Sequence, residues 1–432
     1  MHYYSTNRAS APVDFKTAAV TGQAPDKGLY YPEMIPSAHG LLKQRPLADW
    51  DKTELAFRVM KPYVGQSMPD EVLHRIVAET VDFPFPLVQL SEQVFSFELF
   101  HGPTLAFKDV GARFMSRCLA HFNAGNEKKI TVLVATSGDT GGAVANGFDN
   151  VEGVEVIILY PEGKVSPVQE LQLTTCGSNV HALAVAGSFD DCQAIVKQAF
   201  TDTDLNAQYQ LTSANSINVA RWLPQQLYYF FALQQWPYEQ APVVSVPSGN
   251  FGNICAGMVA QRSGLPIQHF IAACNSNDTI PQYLRTGILP DKTAVATISN
   301  AMDVARPSNF VRIMEMYDQD VQWLRNHLTA VSVSDATTRD TIAAALQDYN
   351  YLCDPHGAVG LYALQQYQLQ HNGAPGFFLE TAHPVKFPDV VAEISGAAVP
   401  VPENVAHLFA LPQRSTRLAA SFDVFKEWMV GR

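Results

Sequence analysis

Residues 130–146 read I-T-V-L-V-A-T-S-G-D-T-G-G-A-V-A-N, and this stretch determines the fold class. Its first six residues are a short apolar, β-branched run, which is typical of a strand buried on both faces of a sheet. A polar turn follows, and the small residues after it suit a closely packed helix. The stretch therefore predicts strand, loop and helix in succession, the repeating unit of an α/β protein.

The same rhythm returns along the rest of the chain. Apolar strands are predicted at 154–160, 180–185 and 242–247, and helices from about Ser166 and Asp190. Later strands are predicted near 267–273, 329–333 and 376–380. Because strands that alternate with helices pair in parallel, the fold class is α/β with mostly parallel sheets.

The first 95 residues have a different character, with long helical stretches such as 70–78 and proline-rich bends at Tyr31-Pro32 and 83–86. A chain of 432 residues exceeds one ordinary core. We therefore expect three domains: a mainly helical one at 1–95, a small α/β domain at 96–225 and a larger α/β domain at 226–432.

Composition excludes several classes of function. Apolar residues make up 47% and charged residues 16%, as in a globular protein, and the net charge is −12. No basic run exceeds Lys128-Lys129, so we expect no nucleic-acid partner, although a small anion could still bind a locally positive pocket. The six cysteines are scattered, and no signal segment or long apolar span is seen, so we expect a cytoplasmic protein with no membrane contact.

One lysine stands in a setting that favours reactivity. Residues 101–109 read H-G-P-T-L-A-F-K-D, which places Lys108 after an apolar, bent stretch and at the expected start of a helix. Loss of solvation destabilises the charged form of a lysine, so that it can act as a nucleophile or base, as a Schiff-base lysine must. The alternative is a solvent-reaching lysine at a helix end beside Asp109.

Two loops follow buried strands and open helices, at 136–142 and 248–253. Exposed backbone N–H groups at a helix start can hold an anion such as a phosphate, whereas the alternative is a helix cap with packing glycines. Neither loop reads G-x-G-x-x-G, and residues 162–165 lack the pattern of a nucleotide loop, so dinucleotide and nucleoside-triphosphate sites are disfavoured.

Two further polar segments are candidates for binding an anionic substrate. Residues 215–221 read N-S-I-N-V-A-R, and Arg221 could hold a phosphate or carboxylate with its planar guanidinium, or could lie on a solvated helix face. Residues 381–387 read T-A-H-P-V-K-F and follow the last strand, where α/β proteins bind ligands. His383 alone is compatible with an ordinary loop histidine, and the histidines show no metal-binding spacing. Residues 354–357 are expected to start a helix.

Together the motifs resemble the threonine synthases, in the branch with an added N-terminal domain, and more broadly the tryptophan-synthase-β-like pyridoxal-phosphate enzymes of fold type II. The resemblance runs through almost the whole chain and follows the order Y-S-T, G-L-Y, H-G-P-T-L-A-F-K-D, T-S-G-D-T-G, N-S-I-N-V-A-R, P-S-G-N-F-G-N, R-P-S-N-F, D-P-H and T-A-H-P-V-K-F. It implies two open, mostly parallel sheets with helices on both faces and an N-terminal mainly helical domain.

The resemblance also implies an activity and its residues. The expected reaction converts O-phospho-L-homoserine and water to L-threonine and phosphate with pyridoxal 5′-phosphate, by β,γ-elimination and replacement through a Schiff base of Lys108. Cofactor contacts are implied for Asp139, Gly249, Asn250, Phe251, Gly252, Asn253 and Thr381. Substrate contacts are implied for Thr140, Asn215, Ser216, Arg221, Asn250 and, more weakly, Lys386. We expect no metal, and a monomer or homodimer.

Three alternatives and two departures accompany this interpretation. A phospholyase that stops at the oxoacid, a β-replacement enzyme, or a noncatalytic protein that kept the fold would share many of the same motifs. Asn7 stands where the family pattern suggests arginine, and Lys27 where it commonly has glycine. Both departures concern the packing of the N-terminal segment more than the chemistry.

Overall fold

The computed structural model describes residues 1–432 and shows two compact units, each discontinuous in sequence. The first unit comprises Tyr31–Phe107 and Trp222–Pro400, together with Met1, and the second comprises His2–Tyr30, Lys108–Arg221 and Val401–Arg432. This division differs from the three consecutive segments expected from the sequence. The reason is long-range pairing, because both ends of the chain pack with the middle segment of the second unit, which local patterns do not reveal.

The strands occupy short, mostly apolar stretches. In chain order they are β1 (His2–Ser5), β2 (Val13–Asp14), β3 (Tyr30–Pro32), β4 (Leu87–Gln89), β5 (Val94–Glu98), β6 (Ile130–Ala135), β7 (Val154–Pro161), β8 (Val180–Ala186), β9 (Gln210–Ser213), β10 (Val243–Pro247), β11 (His269–Cys274), β12 (Leu328–Ser332), β13 (Gly376–Glu380) and β14 (Thr416–Ala419).

The helices alternate with these strands over most of the chain. They are α1 (Phe15–Thr21), α2 (His39–Gln44), α3 (Lys52–Val64), α4 (Asp70–Thr80), α5 (Lys108–Asn123), α6 (Asp139–Phe148), α7 (Pro167–Thr174), α8 (Phe189–Ala199), α9 (Thr203–Gln208), α10 (Val219–Trp222), α11 (Leu227–Gln235), α12 (Gly252–Arg262), α13 (Thr279–Thr286), α14 (Phe310–Met316), α15 (Val321–Arg325), α16 (Asp335–Tyr349), α17 (Pro355–Gln370), α18 (Pro388–Ser395), α19 (Glu403–Ala406) and α20 (Phe422–Val430).

The first unit is built on a six-stranded sheet with the order β12-β11-β10-β13-β5-β4. All neighbours pair in parallel except the edge strand β4, which runs antiparallel to β5. Strands β10 and β13 are buried along their whole length, as expected for a sheet covered on both faces. The carboxyl ends of these two central strands lead into the loops that carry most of the predicted cofactor contacts.

The second unit is built on a five-stranded sheet with the order β14-β8-β7-β6-β9, in which every pair is parallel. Its edge strand β14 comes from the end of the chain, and α20 packs with α8 in an apolar cluster that includes Ile195, Phe425 and Met429. The predicted α/β class with two mostly parallel open sheets is confirmed.

The N-terminal segment of the second unit is held by the side chain of Asp26. Its carboxylate accepts hydrogen bonds from Ser5 Oγ at 2.6 Å and from the Gly28 amide at 2.9 Å. The hydrogen bond from Ser5 lowers the pKa of Asp26 to about 2. Asn7 donates to the Asp26 carbonyl at 3.0 Å, and Lys27 has a φ of 68°, the left-handed conformation that glycine adopts most easily. Both departures from the family pattern therefore lie where two loops meet, the loop after β1 and the loop before β3.

No helix in the structure combines the length and the apolarity that crossing a membrane requires.

Gly376 is a point at which the first sheet tolerates no side chain. A Cβ there would lie 2.4 Å from the carbonyl oxygen of Val243, on the neighbouring strand, and 2.9 Å from Leu364 Cδ1. We expect Gly376→Ala to lower the free energy of unfolding by about 1–3 kcal/mol, because the strands must separate or shift. Urea unfolding followed by circular dichroism measures this. Gly40→Ala is the control, since nothing lies within 4 Å of its added Cβ, and an equal loss in both variants would contradict the explanation.

Candidate active site

Lys108 is the first residue of α5, as the sequence predicted. Its ammonium nitrogen lies 3.8 Å from Asp139 Oδ2, and the two side chains are 16% and 5% exposed. The lysine is therefore not a solvent-reaching residue, and a carboxylate distant in the chain lies beside its amine. A largely buried amine beside one carboxylate is the arrangement expected of a residue that exchanges protons.

Asp139 is oriented by a second side chain and by a glycine. Gln169 Nε2 donates to Asp139 Oδ1 at 3.0 Å, while Gln169 Oε1 accepts from the amide of Ser166 at 3.0 Å, and this second bond fixes which end of the amide faces Asp139. Gly138 has a φ of 137°, and a Cβ there would lie 2.4 Å from Gln169 Cδ. The loop therefore needs glycine at 138 to bring the start of α6 against Gln169.

Thr140 and the segment 215–221 belong to the same unit as Lys108. Thr140 lies half-buried in the first turn of α6, directly after Asp139. Asn215 and Ser216 lie in the loop between β9 and α10, and the Asn215 carbonyl accepts from the amide of Asn218 at 3.1 Å. Each side chain thus follows a strand or opens a helix, as the sequence suggested.

Arg221 is buried at 3% exposure, which excludes the alternative of an arginine on a solvated face. One of its guanidinium nitrogens donates to the carbonyl of Ala214. The helix that begins at Lys108 packs against it, because a Cβ on Gly111 would lie 2.5 Å from the Arg221 carbonyl oxygen. Arg221 is therefore a positively charged group fixed beside α5.

In the first unit, the loop after β10 opens α12 with its backbone amides uncapped. Phe251 has a φ of 60°, and no side chain makes a capping hydrogen bond at this helix start. Gly249 is pressed against the neighbouring segment, since a Cβ there would lie 2.6 Å from Met302 Cα. The first N–H groups of the helix, before that of Cys255, which donates to the Phe251 carbonyl, are thus available to an anion, and the positive end of the helix dipole favours one.

Asn250 and Asn253 of this loop have different settings. Asn250 Oδ1 accepts from the amide of Ser308 at 2.6 Å, which ties the loop to the segment before α14. Asn253 is 6% exposed, and its Oδ1 accepts from the hydroxyl of Tyr229 at 2.9 Å. The Asn253 Nδ2 atom has no hydrogen-bond partner in the protein. A buried donor without a partner is unfavourable unless a ligand accepts from it.

Thr381 follows β13 and is held by backbone hydrogen bonds from the loop before Lys108. The amide of Phe107 donates to the Thr381 carbonyl at 2.9 Å, and the amide of His383 donates to the Leu105 carbonyl at 3.0 Å. Leu105 has a φ of 58°, so the H-G-P-T-L-A-F stretch turns sharply before it pairs with the residues after β13.

The remaining candidates near Thr381 are Lys386, which is buried, and His383, which is half-buried. Lys386 is 1% exposed, and its Nζ donates to the Thr104 carbonyl at 2.8 Å. Its implied contact with substrate stays a prediction. His383 accepts from the Val385 amide through Nδ1 at 3.1 Å, and burial lowers the pKa of its ring to about 4. His383 is therefore neutral at physiological pH.

These features fit a phosphate-bearing cofactor in the first unit. The uncapped start of α12 and the unpartnered Asn253 Nδ2 supply donors for a phosphate. Glycine at position 249 lets the loop pack against Met302, where a side chain would clash. Thr381 supplies a hydroxyl that can approach a ring nitrogen without carrying a charge. The roles of the individual residues remain predictions.

Three family models match the chain. The pyridoxal-phosphate-dependent enzyme model covers residues 84–376, the threonine synthase N-terminus model covers 2–81, and the threonine synthase C-terminal model covers 357–429. Threonine synthase of Haemophilus influenzae is 42% identical over 432 residues, with full coverage of both chains. Threonine synthase of Escherichia coli is 41% identical over 432 residues and covers 100% of this chain and 99% of the relative.

The chain belongs to the threonine synthase family. The crystal structure of the Escherichia coli threonine synthase aligns with a TM-score of 0.91 over all of both chains, at 40% identity. A pyridoxal-phosphate-bound threonine synthase from Brucella melitensis aligns with a TM-score of 0.93 at 36% identity, covering 99% of this chain and 98% of that one. Family membership confirms that the chain is a pyridoxal-phosphate-dependent enzyme.

Some residues of the site were missed in the sequence. Gln169, which orients Asp139, belongs to a capping box with Ser166, so an S-x-x-Q pattern at the start of α7 could have directed attention to it. Ser308 and Tyr229, which hold Asn250 and Asn253, lie 58 and 24 residues from their partners and have no local signal.

Asn253 provides a test of the anion site. Asn253→Asp replaces a buried, unpartnered donor by a carboxylate oxygen at nearly constant shape. We expect cofactor affinity to fall by at least about 100-fold, because a hydrogen bond to a charged group contributes about 1.5–3 kcal/mol and repulsion adds to its loss. Quenching of protein fluorescence on titration of the apoprotein with pyridoxal phosphate measures the affinity. The exposed Asn372→Asp is the control, and unchanged affinity in Asn253→Asp would remove Asn253 from the phosphate site.

Proposed function

We propose that this chain converts O-phospho-L-homoserine and water to L-threonine and inorganic phosphate with pyridoxal 5′-phosphate. The observation that carries the proposal is the largely buried Lys108 ammonium 3.8 Å from Asp139 Oδ2, at the start of a helix. Membership of the threonine synthase family over the full chain supports the same activity. The cofactor, when bound, supplies an electron sink that makes the protons on the substrate's Cα and Cβ removable.

Lys108 moves the protons in this proposal. Its amine takes the proton from Cα and then one from Cβ, and phosphate leaves from Cγ with the electrons of its C–O bond. One proton returns to Cγ and one to Cα. Water adds its hydroxyl at Cβ, and the proton of that water leaves with the phosphate. The Asp139 carboxylate beside Lys108 stabilises the ammonium form whenever the amine carries a proton.

Thr381 is suited to this chemistry because it is a neutral hydroxyl. A neutral group at the ring nitrogen leaves that nitrogen unprotonated, which moderates the withdrawal of electrons and favours elimination and replacement over transamination. The backbone bond from Phe107 to Thr381 and the 6% exposure of this residue support a fixed position for the hydroxyl.

Arg221, with Asn215, Ser216, Thr140 and Asn250, is proposed to bind the phosphate or carboxylate of the substrate. Arg221 carries the positive charge of the group, and its burial strengthens attraction to an anion. Lys386 is a weaker member, since its ammonium is bonded to the Thr104 carbonyl. The cofactor contacts proposed alongside them are Asp139, Gly249, Phe251, Gly252 and Asn253.

The first experiment measures phosphate and threonine together from O-phospho-L-homoserine. We expect equal release of both by the wild type and no release of either by Lys108→Ala, because the variant lacks the amine that lies beside Asp139. Phosphate with 2-oxobutyrate in place of threonine would assign the chain to the phospholyases. The matched control is the exposed Lys43→Ala, in the last turn of α2.

Arg221 also tests whether the departing phosphate helps to activate the water that adds at Cβ. Arg221→Lys keeps the charge but loses the planar fork, and we expect kcat/KM to fall by about 10–100-fold, the loss of one or two charged hydrogen bonds. If the phosphate assists, 2-oxobutyrate should also rise relative to threonine. The exposed Arg75→Lys is the control. An unchanged turnover and product ratio in Arg221→Lys would refute the assisting role.

We further propose a cytoplasmic location and a monomer or homodimer as the active form. None of the six cysteines is in a disulfide and five are buried, which supports a reducing compartment. Light scattering of the purified protein distinguishes the two oligomeric states.

A further inference from the structure

The first unit contains a buried pair of carboxyl groups, one of which belongs to the residue that directly precedes Thr381 in the chain. Glu380, the last residue of β13, and Asp354, the cap of α17, are both 0% exposed. The Asp354 amide donates to Glu380 Oε1 at 2.6 Å. Two adjacent carboxylates that are shielded from solvent cannot both remain charged without a large cost.

The hydrogen bonds decide which of the two is charged. Asp354 accepts from the amide and the Nδ1 of His356 at 2.8 Å and 2.5 Å, and from the Gly357 amide at 3.3 Å. Glu380 Oε2 has no hydrogen-bond partner. The donors therefore compensate a negative charge on Asp354, whereas a charge on Glu380 Oε2 would be uncompensated. Burial, followed by the charge of Asp354, raises the pKa of Glu380 well above its ordinary value.

The pair is connected to both cofactor segments of the first unit. His356 Nε2 accepts from the Ala301 amide at 3.2 Å, so the ring carries its proton on Nδ1 and donates it to Asp354. Ala301 and Met302 form the wall against which Gly249 packs. In the other direction, the Glu380 carbonyl accepts from the Leu99 amide at 2.9 Å, and Thr381 follows in the chain.

We propose that Glu380 is a positioning residue, held as a neutral carboxylic acid beside the ionised Asp354, and that this pair sets the placement of Thr381 and, through His356, of the phosphate loop at Gly249. Its effect on the cofactor rests on the proposed function, whereas the neutral state of Glu380 does not.

Other titratable groups face the pair. Glu98 comes from β5 and accepts from the Tyr351 hydroxyl at 2.9 Å and from His101 Nε2 at 2.6 Å. Tyr351 and Cys353 precede α17, and burial raises the pKa of both groups well above their ordinary values. Tyr351 and Cys353 are therefore neutral at physiological pH, and the nearby carboxylates oppose a negative charge on either group. Ionisation of Glu380 at high pH is thus the event that would disturb the Asp354–Glu380 pair.

The Glu380 side chain occupies the space that a side chain at position 357 would need. A Cβ at this position would lie 1.5 Å from Glu380 Oε2 and 2.4 Å from its Cδ. The contact involves a side chain that accepts from the Asp354 amide, so either that side chain or the start of α17 must shift to relieve it. Gly357 and Glu380 therefore form a matched pair of residues in this chain.

The protonation state is tested on the apoprotein with Glu380→Gln, a neutral mimic, and with the exposed Glu71→Gln as control. At neutral pH the infrared spectrum of the wild type should contain the carbonyl band of one protonated carboxyl group. The difference spectra should show that this band is lost in Glu380→Gln and kept in Glu71→Gln. Absence of such a band from the wild type would overturn the neutral state, whatever the activity of the enzyme.

Unfolding gives an independent measure. A raised folded-state pKa means that the contribution of Glu380 is complete below its ordinary pKa of 4.5 and is lost as pH rises towards the folded value. The unfolding equilibrium constant of the wild type should thus rise relative to Glu380→Gln, by up to about tenfold per pH unit above about pH 5. A ratio that does not change with pH would contradict the proposal.

The positioning role is tested with Gly357→Ala, alone and in Glu380→Ala, by titration of each apoprotein with pyridoxal phosphate. Gly357→Ala alone should weaken pyridoxal-phosphate binding by at least about tenfold, which corresponds to the loss of one hydrogen bond. In the Glu380→Ala background the same substitution should weaken binding much less, because the side chain that it displaces is absent. Equal losses in both backgrounds would show that Gly357 acts independently of Glu380. If the wild-type apoprotein did not bind pyridoxal phosphate, the proposed function would fail while the infrared result still stood.

Discussion

The hydrogen bond from the Phe107 amide to the Thr381 carbonyl, 2.9 Å long, is the constraint on which the cofactor half of the first unit depends. It anchors the H-G-P-T-L-A-F stretch to the residues that leave β13, a strand buried between β10 and β5. Phe107 directly precedes Lys108, so the same stretch ends where the helix with the reactive lysine begins. A segment that is hydrogen-bonded through its backbone to the end of a buried strand is more rigid than one held by side-chain contacts. Such rigidity suits residues that must be positioned precisely beside reacting atoms.

Both units use the carboxyl ends of parallel strands and the starts of helices to place polar groups. In the second unit, α6 begins with Asp139, and glycine at position 138 allows the start of this helix to pack closely against Gln169. In the first, α12 begins after Phe251 with its amides uncapped. One helix start therefore presents a carboxylate and the other presents donors, although both follow a buried strand and a glycine-containing loop. The difference arises from which side chains the neighbouring segments supply.

Buried charge is balanced locally throughout these segments. Asp139 receives a donor from Gln169, Arg221 donates to the Ala214 carbonyl, and Asp354 receives three donors at the start of α17. Glu380 is the exception, because one of its oxygens has no partner. A proton removes that imbalance at far lower cost than an uncompensated charge.

The sequence by itself determined the α/β class, the positions of the central strands, the helix that begins at Lys108 and the loops that hold the family's motifs. These follow from short-range physics, since apolar runs, glycine-bent turns and capping residues act over a few positions. Only the tertiary structure decided the two discontinuous units, the burial of Arg221, the proximity of Lys108 to Asp139, and the Asp354–Glu380 pair. Each of these features depends on contacts between residues that are far apart in the chain. Such contacts are set by the order of strands in the sheets and by packing, so no local sequence pattern predicts them.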